Sequence, residues 1–289
     1  MFDGVHRGHR FVLEQLRHIA DEQGYDPAVI TFSNHPKSVI TPGKAPKLLS
    51  SVEARIDRIL ETGIDDILIL EFDEELMKLA AAEFARIFIK DNLKGDAVLL
   101  GYDHSFGSDR LKGAENYRKA LAPLGMKVFE CPAMPGEKVS SSMVRRALET
   151  GDIEKANGLL GYKFRIEGEV VHGKQLGRTI GFPTANILAD PKVMVPLTGV
   201  YAGLSDNIPV MLNIGHAPTV NNTSESPITI EAHLIDNSGK ELDLYGKNIA
   251  IDLFRRLRDE KRFDNLESLR EALEADRLNT LKALGRHEI

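Results

Sequence analysis

The opening residues Met1-Phe2-Asp3-Gly4-Val5-His6-Arg7-Gly8-His9 set two imidazoles three positions apart, with Arg7 and Gly8 between them. This spacing suits a turn into a helix that grips a polyphosphate. Gly8 lets the backbone approach an oxygen with no Cβ in the way, and His6 and His9 can donate hydrogen bonds to charge developing on phosphorus. A helix from about Arg10 onward would aim its positive end at the same anion. A second group with phosphate chemistry is Ser140-Ser141-Ser142-Met143-Val144-Arg145. Hydroxyls of Ser141 and Ser142 and free N–H groups at a helix start bind phosphate, and Arg145 can pair with it bidentately. Read by themselves, the serines are more often ordinary helix caps, since serine is a preferred cap.

Gly177-Arg178-Thr179-Ile180-Gly181-Phe182-Pro183-Thr184-Ala185-Asn186 is a third group. Gly177 and Gly181 bracket a loop able to lie over phosphates. Thr184 and Asn186 offer two neutral oxygens with one residue between them. Such a pair suits a Mg²⁺ that keeps several waters and takes most of its negative ligands from a nucleotide. A turn around Pro183 with a satisfied asparagine explains the same residues. Finally, Thr229-Ile230-Glu231-Ala232-His233-Leu234 alternates as a strand does, aiming Glu231 and His233 to one face. A carboxylate there could accept the proton of an attacking hydroxyl, although a solvated glutamate is the commoner role for this residue type.

The elements that must position these groups follow from periodicity. Up to about residue 161, helical and strand patterns alternate: a helix ending near Gly24, a strand at 28–32, and a helix capped by Ser50 with Glu53. A strand at 67–72, a helix over 80–93, a strand at 97–101, a helix over 114–124 and a strand at 127–131 follow. This alternation predicts an α/β domain with a doubly wound, mostly parallel sheet, in which ligands bind beyond the carboxyl ends of the strands. His6, residues 31–36 and residues 101–106 fall on that edge, although no strand precedes His6. Short helices over 143–150 and 152–160 end at Gly161. Beyond it, strands at 165–172, 200–204, 209–214, 228–235 and 248–254, with a hairpin turn at Asn237-Ser238-Gly239, predict a small antiparallel barrel. Residues 266–284 carry leucines at helical spacing, a terminal helix packed on that barrel.

Bulk properties narrow the function classes. Net charge is −6, which argues against long nucleic acid or an anionic membrane as a dedicated partner but leaves room for a small anionic substrate. Cys131 is the one cysteine, so an intrachain disulfide and a multi-cysteine metal site are excluded, and a buried thiol is its expected role. Residues 67–70 and 97–100 are apolar runs far too short to span a bilayer, and no secretory signal pattern is present. The expectation is a soluble cytoplasmic enzyme.

With four ordered motifs in place, the first half resembles the FMN adenylyltransferase module of bacterial bifunctional riboflavin kinase/FAD synthetases. The carriers are the Phe2–His9 stretch, Thr31-Phe32-Ser33-Asn34-His35-Pro36, Gly101-Tyr102-Asp103-His104-Ser105-Phe106-Gly107 and the 140–145 group, with Ser142 and Val144 where that family usually has Thr and Ile. The 177–186 stretch resembles the G-x-x-x-G-F-P-T-A-N segment of riboflavin kinases. Gly199-Val200-Tyr201-Ala202-Gly203, Asn213-Ile214-Gly215 with Pro218-Thr219, Leu244-Tyr245-Gly246 and residues 258–263 follow in that family's order.

The resemblance implies an adenylyltransferase domain at 1–160 and a riboflavin kinase β-barrel domain at 161–289. Riboflavin, FMN and ATP would be the substrates and Mg²⁺ the cofactor. It implies Glu231 as catalytic base of the kinase, with His6, His9 and Arg145 acting on the nucleotide in adenylyl transfer. Gly8, Asp103, Ser141, Ser142, Gly177, Gly181 and Thr184 would bind nucleotide, Asn34, Pro36 and Arg258 flavin, and Thr184 and Asn186 the metal. In that family an apolar strand, a glycine and one variable residue precede Phe-Asp-Gly, and Met1 occupies the variable position. The expectation is an adenylyltransferase half lacking its first strand beside the kinase half. A kinase working alone and a flavin-binding protein without turnover are the alternatives.

Overall fold

The computed structural model describes residues 1–101, 105–173, 180–216, 228–235 and 244–286. The chain divides into two compact units, Met1–Val139 and Ser140–Ile289.

In the first unit, α1 (Arg7–Gln23) starts at His6 and stops where Gly24 turns left-handed, φ 68°. It is followed by β1 (Ala28–Phe32), a short α2 (Lys37–Ile40), α3 (Val52–Leu60) and β2 (Asp66–Leu70). β1 and β2 pair in parallel from Ala28 opposite Asp66 to Phe32 opposite Leu70. Val5, Leu13, Val29, Ile59 and Ile64 form the core beneath them. Ser51 rather than Ser50 caps α3, its hydroxyl accepting from the Ala54 N–H, because the helix starts one residue later than the Ser50–Glu53 spacing suggested. The chain continues through α4 (Glu74–Lys78) and α5 (Ala81–Phe84). The helix expected over 80–93 is not one regular element: α5 passes into a π-helical stretch, Ala85–Asn92, where the rings of Phe84 and Phe88 pack 5.0 Å apart. After β3 (Ala97–Leu100), α6 (Ala114–Leu121) and β4 (Lys127–Glu130), β3 and β4 form a second parallel pair over a core containing Leu100, Tyr117, Leu121 and Val128. The parallel α/β pattern is therefore present, distributed over two two-stranded sheets among the described residues.

The second unit opens with α7 (Ser141–Glu149) and α8 (Ile153–Leu160). It then forms a closed barrel from β5 (Phe164–Val171), β6 (Ala185–Ala189), β7 (Gly199–Ser205), β8 (Ile208–His216), β9 (Ile228–Leu234) and β10 (Asn248–Arg258), in the order β10-β5-β6-β9-β8-β7. Every pairing is antiparallel, and among the described residues the strands close on one another as a barrel. β6 was not anticipated as a strand; the hairpin expected at 237–239 lies outside the described residues. Side chains alternate between faces. Tyr201, Leu212, Ile214, Ile230 and Ala232, at most 3% exposed, fill the interior. The opposite face carries Val200 and Met211, which cluster with Phe182 and pack against Leu273 of the terminal helix α9 (Leu266–Ala283). Asn157 ties α8 to the barrel: its amide donates to the Leu253 carbonyl at 2.9 Å and accepts the Phe164 N–H at 2.7 Å.

Candidate active sites

The histidine turn is built by strain held in place by packing. Gly4 has φ 74°, and a Cβ there would lie 2.8 Å from Leu49 Cδ1. Val5 follows at φ 33°, which costs a β-branched residue on the order of 1–3 kcal/mol. Full burial of its side chain in the core offsets that cost. The Asp3 carboxylate accepts the Leu49 N–H at 2.9 Å and pairs with Arg55 at 3.9 Å. Arg55, fully buried, also donates to Thr31 Oγ1 and the Phe32 carbonyl, so one guanidinium fastens the turn to the carboxyl end of β1. Burial disfavours its charge, and Asp3 beside it favours it.

His6 results as the N-cap of α1. Its Nδ1 accepts the His9 N–H at 3.3 Å, which puts the ring proton on Nε2. The two imidazoles stack with centroids 3.7 Å apart and planes 14° from parallel. The structure thus brings His6 and His9 together at a helix N-terminus, with Gly8 in the first turn. Asn34 lies just beyond β1, where its amide mimics a strand backbone: Nδ2 donates to the Phe72 carbonyl and Oδ1 accepts the Phe72 N–H, each at 2.8 Å. It ties the loops after β1 and β2 together, and Pro36 opens α2. Asp103 lies outside the described residues, while Phe106 nearby is pinned by Tyr117, whose hydroxyl bonds both its N–H and its carbonyl at 2.7 Å.

Ser140 caps α7 through the Met143 N–H, which leaves Ser141 and Ser142 as its first two residues and Arg145 one turn in, 9% exposed. This helix belongs to the unit that contains the barrel.

On the outward barrel face, Asn186 on β6 pairs directly with Glu231 on β9, and Asn213 on β8 pairs with Glu231 from the other side. Directly opposite residues of an antiparallel pair share a face, with Cβ atoms about 5 Å apart, so a carboxylate stands between two amides. The Asn186 amide lies against Gly173, just past β5, where a Cβ would fall 2.0 Å from its Nδ2. That bare backbone leaves room for the amide. Thr184 directly precedes β6, and Gly181 turns left-handed at φ 87°; Gly177 lies outside the described residues. Asn186 supplies a neutral oxygen beside the bare backbone of Gly173, and Thr184, two residues before it, supplies a second; by chemistry the two donors would fit a hard divalent cation brought in by a nucleotide.

His233, two residues from Glu231, donates from Nδ1 to the Pro183 carbonyl at 2.8 Å. Burial lowers its pKa, the Pro183 contact opposing this in part. Arg258 faces α9: its guanidinium donates to the Asp276 carboxylate at 2.7–3.0 Å, and Asp276 is 3% exposed. Residues 173, 213, 260 and 276 were not singled out as site residues from sequence. Asn213, Gly215 and Glu260 lay within matched motifs, which was the available signal.

Comparison with known proteins adds the following. A family model described as FAD synthetase matches residues 1–143, and one described as riboflavin kinase matches residues 160–284. A Pseudomonas fluorescens protein described as a bifunctional riboflavin kinase/FMN adenylyltransferase is 38% identical over 281 residues, covering 95% of this chain and 88% of that protein. A Bacillus subtilis (strain 168) protein of the same description is 34% identical over 291 residues, covering 97% and 90%. A crystal structure from Streptococcus pneumoniae, described as a macrolide-efflux protein, superimposes with a TM-score of 0.84 at 28% identity, over 97% of this chain and 91% of that one. Among the described residues of the present chain, no helix is long and apolar enough to cross a membrane.

Proposed function

We propose a division of labour for a chain that belongs to the bifunctional riboflavin kinase/FMN adenylyltransferase family. The enzyme phosphorylates riboflavin to FMN with ATP, then adenylylates FMN to FAD with release of pyrophosphate. We assign the first reaction to residues 161–289 and the second to residues 1–160. The observation that carries the kinase assignment is the cross-strand juxtaposition of Asn186 and Glu231.

In the barrel, the terminal hydroxyl of riboflavin's ribityl chain attacks the γ-phosphorus of ATP. Glu231 takes the hydroxyl proton as the new P–O bond forms, and ADP leaves with the electrons of the broken bond. Thr184 and Asn186 would hold the Mg²⁺, whose contribution when bound is to neutralise charge on the β- and γ-phosphate oxygens. Gly177 and Gly181 bracket the loop assigned to the nucleotide phosphates. Arg258 acts on the flavin side by fixing the segment after β10 to Asp276.

In the reaction assigned to residues 1–160, an FMN phosphate oxygen attacks the α-phosphorus of a second ATP and pyrophosphate departs. No protein nucleophile is required, because FMN already carries one. His6 donates from Nε2 and His9 lies stacked upon it; both stabilise charge on the transferring phosphate. Ser141, Ser142 and Arg145 are assigned to nucleotide phosphate, Asp103 to nucleotide, and Asn34 and Pro36 to the flavin side. A single, buried free thiol suits a reducing compartment, and we place both reactions in the cytoplasm.

Separate assays test the division. Riboflavin with MgATP should yield FMN and ADP, and FMN with MgATP should yield FAD and pyrophosphate. Absence of FAD from the second assay, with FMN formed in the first, would restrict the chain to kinase activity.

A further inference from the structure

A second carboxylate reaches the face that carries Glu231. A Cβ on Gly215 would lie 2.3 Å from Glu260 Oε1, 2.9 Å from its Cδ and 3.4 Å from Asn213 Nδ2. Glu260 therefore folds down onto the backbone of β8. Glycine inside a strand weakens it, and its presence marks close approach by another group. Here that group is a carboxylate. In register, Asn213 faces Glu231 and Gly215 faces Thr229, so Glu260 stands one same-face step, about 7 Å along the strand, from the row that holds Glu231. The placement is not left to a free loop. Arg258 donates from Nη1 to the Asp259 carbonyl at 2.9 Å while its other nitrogens hold the buried Asp276 of α9. The residue preceding Glu260 is thus fixed to the terminal helix.

We propose that Glu260 is a substrate-binding residue of the kinase reaction, accepting hydrogen bonds from the inner hydroxyls of riboflavin's polyol tail while Glu231 serves the terminal one. This rests on the assignment of Glu231 as base. A carboxylate is an acceptor with two oxygens and a polyol is a row of donors. A step of one same-face strand position is of the order of the span from the terminal to the inner hydroxyls of a five-carbon chain. Asn213 neighbours both carboxylates: it faces Glu231 across the strands, and its Nδ2 lies 3.4 Å from the point that a Cβ on Gly215 would occupy beside Glu260.

The test uses the full-length chain and two flavins, riboflavin and lumiflavin, which has the same ring system and no polyol tail. Flavin fluorescence gives the Kd of each for wild type, Glu260→Gln and Gly215→Ala, the latter displacing the carboxylate without changing it. Loss of charge-assisted hydrogen bonds should raise the riboflavin Kd roughly tenfold in both variants, with the lumiflavin Kd unchanged. An unchanged riboflavin Kd in Glu260→Gln, or an equal rise for both flavins, overturns the proposal. The base assignment fails separately: a Glu231→Gln variant with normal turnover would refute it whatever the binding data show.

Discussion

Asn186 and Glu231 are direct cross-strand neighbours on β6 and β9. A neutral oxygen suited to a hard cation and a carboxylate suited to a proton thus stand about 5 Å apart at the Cβ atoms, the juxtaposition on which the proposed kinase assignment rests. The four residues from Pro183 to Asn186 set this up, since Asn186 is the second residue of β6 and His233 holds Pro183 from behind.

Gly173 should govern metal binding without touching the metal. Gly173→Ala puts a methyl where the Asn186 amide lies, and the amide must turn away. Orientation of a ligand by its surroundings is worth roughly tenfold or more in metal affinity. The Mg²⁺ concentration for half-maximal FMN formation at saturating ATP should rise about tenfold, with the thermal midpoint little changed. An unaltered magnesium dependence would show that the amide does not hold the ion.

Arg258 and Asp276 form a pair whose carboxylate side is 4% exposed and whose guanidinium side is 28% exposed. Arg258→Ala strands a buried carboxylate and should destabilise the C-terminal unit by about 2–3 kcal/mol, toward the lower end of the range for buried pairs because the arginine is partly solvated. Replacing both residues with apolar ones of similar volume should cost less than Arg258→Ala alone. Urea unfolding of the three chains checks the ranking.

His233 gives a pH dependence with a definite sign. Its pKa is lowered in the fold by burial, so below about pH 6.5 the unfolded chain binds a proton that the folded chain resists. Stability contributed at higher pH is therefore lost as pH falls from the unfolded pKa toward the folded one. His233→Asn keeps a donor for the Pro183 carbonyl and removes the titration. Thermal midpoints between pH 7.5 and 5.5 should fall more steeply in wild type than in this variant; parallel curves would contradict the sign.

Local features were legible in the sequence to different depths. The 3.6-residue and two-residue periods located β1, β3 and most barrel strands to within a residue or two, because each buries one face; the end of α1 was placed equally well, but its start at Arg7 comes three residues before the expected Arg10. β6 escaped, since Gly181 and Pro183 signal a turn and Leu188, 62% exposed, blurs its alternation. Glu231 and Asn186 were marked as candidates by residue type and resemblance, but their adjacency was not legible: register between distant strands leaves no local periodic mark. Arg258 shows the same limit, because its partner lies on another element. His6 and His9 were assigned as a pair from spacing; their stacking and the role of Arg55 in holding the turn needed the third dimension.

If Glu231 serves only the first of the two reactions, one substitution should separate them. Full-length Glu231→Gln should be assayed for FMN formation from riboflavin and for FAD formation from FMN in the same preparation. FMN formation should fall by roughly 10²–10⁴-fold while FAD formation proceeds at the wild-type rate. FMN formation at the wild-type rate, or loss of both reactions together, would contradict that role of Glu231.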